Sequence, residues 1–80
     1  MNDREVLGHI QELVDEEHDL LEREGRGELS DPHQRRRREI EAHLDQLWDL
    51  LRQRRARREF GLNPDEAQER PVEVVEHYQQ

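Results

Sequence analysis

The chain has no cysteine, no lysine and no threonine, one serine, and one residue each of tryptophan, tyrosine and phenylalanine among its 80 positions. Each absence removes a class of chemistry. Without cysteine there is no disulfide framework, no thiolate nucleophile and no cysteine-ligated zinc or iron–sulfur centre. The lone Ser30 sits in a turn, no Gly-rich phosphate loop is present, and scattered carboxylates alone do not make an acid–base pair. No catalytic activity and no cofactor are therefore expected. Apolar runs never exceed two residues, which leaves neither a signal-peptide core nor a membrane span, so a cytoplasmic protein without membrane contact is expected.

Glycine and proline number only four and three, and charged residues make up 42% of the chain against 30% hydrophobic. The charges are of mixed sign and the apolar residues are periodic, so a thin helical fold accounts for the composition better than disorder does. The net charge of −8 conceals three blocks: residues 1–34 hold eleven acids and three arginines, residues 35–58 hold four acids and nine arginines, and residues 59–80 hold six acids and one arginine. An acid–base–acid chain neutralises itself by folding back.

Helix signals give an all-α fold. Asn2 with Glu5 is a capping box, and Val6, Leu7, Ile10, Leu13, Val14, Leu20 and Leu21 form one apolar stripe, interrupted at Glu17. Gly25 and Gly27 stop this first helix, predicted over about 3–24, with a turn over 25–31. Asp31, Pro32 and Gln34 read as a helix start. The second helix, predicted over about 32–60, carries Ile40, Leu44, Leu47, Leu50 and Leu51 on one face and Trp48 at its edge, and Gly61 ends it. Residues 1–60 thus predict an antiparallel helical hairpin, in which Leu21 meets Ile40, Leu13 meets Leu47 and Ile10 meets Leu51. Residues 61–80 predict a tail: Asn63, Pro64 and Glu66 start a short helical turn, Pro71 breaks it, and the last ten residues form either a short helix or an extended segment docking Val72, Val75 and Tyr78.

Three functional readings follow. A two-helix hairpin leaves half of each stripe wet, so the chain is expected to self-associate, most simply as a homodimer forming a four-helix bundle, with Trp48, Leu50, Leu47, Leu13 and Leu20 as candidate interface residues. A protein-interaction module is the favoured reading, and an unidentified protein partner fits it too. Arg35, Arg36, Arg37, Arg38, Arg52, Arg54, Arg55, Arg57 and Arg58 offer a nucleic-acid or polyanion surface instead. Against that stand the overall acidity, the scarcity of stacking aromatics, and the register itself, which lays the later arginines beside Asp3 and Glu5 and the earlier ones beside Glu22 and Glu24. The third reading is metal. Glu17 and His43 are expected to face each other in the seam, where such a pair most simply fixes register, and His18 and Glu39 would complete a ligand set in a dimer. The Glu-x-x-His spacing of di-iron bundles is absent, and no metal is expected.

The segments LVDEEHDLLEREG (13–25), LDQLWDLLRQRRARREFGLNPDEAQERP (44–71) and EVVEHY (73–78) resemble a family of short actinobacterial proteins catalogued as a domain of unknown function. The resemblance covers nearly the whole chain. It implies a small intracellular helical protein, and brings no activity, substrate or catalytic residue with it.

Overall fold

The computed structural model describes residues 1–28 and 30–78, with side chains described except at positions 77 and 78. The described residues form helices and no strand: α1 spans Asp3–Gly25, α2 spans Asp31–Glu59, a 3-10 turn covers Pro64–Glu66, and α3 spans Val72–Tyr78. Local chemistry sets the boundaries. At the start of α1 the Glu5 amide donates to Asn2 Oδ1 at 2.8 Å and the Asn2 amide donates to Glu5 Oε1 at 3.4 Å, the reciprocal capping box. The start of α2 differs from expectation by one residue, because Ser30 rather than Asp31 is the N-cap, its Oγ 3.1 Å from His33 Nδ1. Pro32 stays in the first turn, where a missing amide costs nothing.

Both long helices end alike. Gly27 and Gly61 have φ of +74° and +72°, a left-handed conformation open to glycine and strained for other residues. The next amides reach back five residues, Glu28 to the Arg23 carbonyl at 2.8 Å and Leu62 to the Arg57 carbonyl at 2.7 Å. These are Schellman closures, which satisfy carbonyls that the helix leaves open.

The two long helices lie against each other in opposite directions, with Asp3 beside Arg54 and Arg58 at one end and Glu24 beside Arg37 at the other. Between them lie Val6, Ile10, Leu13 and Leu20 of α1 and Ile40, Leu47 and Leu50 of α2, with Leu44, Leu51 and Ala67 at the margin. The α1 residues alternate four- and three-residue steps once Glu17 is included, which is a heptad seam. This seam takes Leu20 and leaves Leu21 exposed, correcting the expected contact of Leu21 with Ile40. At about 100° per residue, Leu21 is turned off the line that Val6, Ile10 and Leu13 define.

The 3-10 turn and α3 pack on α2. Val75 is fully buried and Val72 half-buried, while the docking expected of Tyr78 falls outside the described side chains. The fold is elongated, with extents of 50 × 25 × 16 Å. None of the helices is long and apolar enough to cross a membrane, among the described residues.

Leu47, buried to 2% exposure, is the centre of the α2 side of the seam. Leu47→Asp places a charge there and is expected to abolish the cooperative thermal transition followed by circular dichroism. A sharp melt in that variant would show that the seam does not support the fold.

Candidate functional site

The arginine-rich face is largely occupied from within the chain. Arg36 holds Glu16 with two hydrogen bonds, Nε at 2.6 Å and Nη2 at 2.9 Å, and Arg37 Nη1 donates to Glu24 at 2.7 Å. Arg55 pairs with Glu59 at 3.3 Å and Arg57 with Glu66 at 3.4 Å, while Arg52 approaches Asp49 only at 3.9 Å. Arg35 and Arg38 are exposed. A shallow polar groove is lined by Glu24, Gln34, Arg37, Arg38 and Glu41, and Arg37 in its wall pairs with both Glu24 and Glu41.

The polar seam residues do not meet. His43 was expected opposite Glu17; instead it is exposed and its Nε2 lies 3.3 Å from Glu69 Oε1 in the tail. The reason is rotational. At about 100° per residue His43 faces the side of α2 that the tail covers, whereas Glu17 stays on the seam line of α1. Glu17 is half-buried and makes no hydrogen bond or ion pair among the described residues. His18 pairs with Glu22 at 3.7 Å and Glu39 with Arg36 at 3.4 Å. The four candidate ligands therefore stand apart, and among the described residues no three of His, Asp and Glu are grouped so as to hold a metal ion.

Two buried charges were not foreseen in these roles. Arg54 is 5% exposed: its Nε donates to Asp3 Oδ1 at 2.5 Å, and its Nη1 donates to the Pro64 carbonyl at 3.1 Å and to Asp65 Oδ1 at 3.0 Å. One guanidinium thus ties α1, α2 and the tail together. The sequence register placed Arg54 near Asp3, but gave no sign that it would be buried. Asp49, 2% exposed, is clamped by Arg70, whose Nε donates to Oδ2 at 2.8 Å and whose Nη2 donates to Oδ1, and by Gln53 Nε2 at 2.9 Å. Gln46 and Gln53 donate to the carbonyls of Arg70 and Gln68 at 3.1 and 2.8 Å. The available signal was the recurrence of Gln46, Asp49 and Gln53 at helical spacing, together with Arg70 as the one cation of residues 59–80. Hydrogen bonds from Arg70 and then Gln53, partly opposed by burial, hold the Asp49 carboxyl below its usual range; Arg58 and Arg54 do the same for Asp3.

The tail changes which apolar residues remain for a partner. Of the expected interface set, Leu13, Leu20 and Leu47 are buried between α1 and α2, and Leu50 is buried on the tail side of the seam. For these four the expectation is corrected, because a single chain already covers them. Trp48 remains 45% exposed, and α1 adds Leu7, Val14 and Leu21 at 48%, 39% and 43%. The three α1 residues recur every seven positions, about 10 Å apart along the helix. Projected around each helix axis, they fall on the same side of the molecule as Leu44, Leu51 and Trp48, opposite the tail. The Arg37–Glu24 pair lies on this side and Arg36–Glu16 on the other, in agreement with that projection. The result is one apolar strip along a face that no described residue covers.

The sequence pattern of the family described as "Protein of unknown function (DUF2630)" matches residues 2–80. An uncharacterised protein of Mycobacterium bovis and two of Mycobacterium tuberculosis strains are each 48% identical over 77 residues, spanning 95% of this chain and 88% of theirs. These relatives are mycobacterial, in keeping with the actinobacterial resemblance. No solved structure matches the chain.

The buried clamp generates two expectations. Asp49→Ala removes the buried carboxylate that Arg70 and Gln53 share and is expected to cost about 1.5–3 kcal/mol in urea unfolding; a change under about 0.5 kcal/mol would mean that the clamp is dispensable. A carboxylate with a depressed folded-state pKa stabilises fully above its unfolded value, about 4, and loses that contribution as pH falls through the folded value. The melting temperature of the native chain is therefore expected to fall as pH drops below about 4, and that acid-side slope is expected to be shallower in Asp49→Asn.

Proposed function

The chain belongs to the DUF2630 family of proteins of unknown function, and from that premise we propose that it is a self-associating helical interaction module without catalytic activity. The observation that carries this reading is the uncovered strip of Leu7, Val14, Leu21 and Trp48. Exposed apolar residues scattered singly need no explanation, but a contiguous strip at heptad spacing does. The layering of the molecule supports the same reading. Domains are usually built from two packed layers around one core, and here the helix pair carries the short tail on one flank and no described segment on the other. A second copy laid on the strip provides the missing layer and makes a homodimeric four-helix bundle, acting in the cytoplasm. The arginines support a polyanion site less well, since Arg36, Arg37, Arg54, Arg55, Arg57 and Arg58 already hold carboxylates.

Sedimentation velocity tests the proposal. The native chain is expected to sediment as a dimer at micromolar concentration, and Val14→Glu as a monomer with unchanged helical content, because Val14 lies outside the seam. A native chain that stays monomeric and folded through the millimolar range would refute self-association.

A further inference from the structure

We propose that the second copy is related to the first by a two-fold axis parallel to the helices, so that α1 of each protomer lies on α2 of its partner. The inference rests on the self-association reading above and goes beyond it by fixing which helix covers which. Face-to-face packing of two such layers allows two symmetric solutions. In one the axis runs along the helices, and each α1 covers the partner's α2. In the other the axis runs across them, and α1 covers α1 while α2 covers α2.

Charge chooses between them. Residues 1–34, which contain α1, carry eleven acids against three arginines, whereas residues 35–58, most of α2, carry nine arginines against four acids. The crosswise axis stacks like on like. It also brings Arg37 and Arg55, which border the strip near opposite ends of α2, to similar heights on facing helices, where like charges repel. The lengthwise axis lays the acidic helix on the basic one.

The heights agree as well. The pairs Asp3 with Arg54 and Arg58, and Glu24 with Arg37, fix how α1 and α2 are aligned within a protomer. By that alignment Val14 stands level with Leu44 and Trp48, Leu7 with Leu51, and Leu21 with Glu41. A lengthwise two-fold axis leaves every height unchanged, so the same alignment holds between protomers. Val14 then meets the partner's Leu44 and Trp48, and Leu7 meets the partner's Leu51, which closes apolar groups on apolar groups. At the other end, Glu22, whose side chain pairs with His18, comes level with the partner's Arg38, which is exposed.

The absence of cysteine makes disulfide trapping clean. Leu21→Cys and Glu41→Cys, prepared separately and mixed before mild oxidation, are expected to give a covalent heterodimer, identified by mass spectrometry, while neither variant alone gives a covalent dimer. A second mixture at the far end, Leu7→Cys with Arg55→Cys, is expected to behave likewise. Trapping from a mixture of Leu21→Cys with Leu7→Cys would instead establish the crosswise axis and overturn the proposal. Sedimentation of the same reduced samples, with circular dichroism to verify folding, separates the two levels of failure. Dimers that trap in none of the mixtures overturn this arrangement and leave self-association standing; folded monomers overturn both.

Discussion

The heptad seam between α1 and α2 is the constraint from which the rest of the structure follows. It takes Val6, Ile10, Leu13 and Leu20 from one helix and Ile40, Leu47 and Leu50 from the other, and thereby fixes the rotation of each helix about its own axis. Once those rotations are set, every other residue has an assigned side. Asp49, Gln46 and Gln53 turn toward the tail, and Leu7, Val14, Leu21 and Trp48 turn away from it. The two flanks of the molecule are consequences of one seam, since a shift by a single residue would turn each flank by about 100°.

Charge then acts on a framework that apolar burial has already oriented. Most of the cross-helix ion pairs are exposed, and such pairs are worth less than about 1 kcal/mol each. Arg54 and Asp49 differ because they are buried, with Arg54 at a junction of three segments and Asp49 between α2 and the tail. Buried charge is tolerated only where hydrogen bonds replace the lost water, and both groups have them. The surface pairs set alignment, and the buried ones fasten the tail.

Much of this was legible in the sequence, and the failures have a common cause. The capping box at Asn2, the proline in the first turn of α2 and the glycines past both long helices are local signals, read within a few residues, and they located those helices to within one or two positions. The all-helical class followed from periodicity. What escaped was rotation: a stripe that includes both Leu20 and Leu21 is too wide to say which of the two enters the seam. The same uncertainty produced the expected Glu17–His43 contact and the assignment of Leu50 to an outer surface. The tail escaped because its attachment is polar, through Arg70 and the glutamines of α2, and apolar periodicity is blind to a polar attachment. Val72 and Val75 gave the apolar clues to it.

The tail and the apolar strip lie on opposite flanks of the same helix pair. Release of Gln68 to Arg70 from α2 would unmask Asp49 without disturbing Val14 or Trp48. Local opening of this kind draws on the least stable part of a fold, and here it is sterically insulated from whatever sits on the other side.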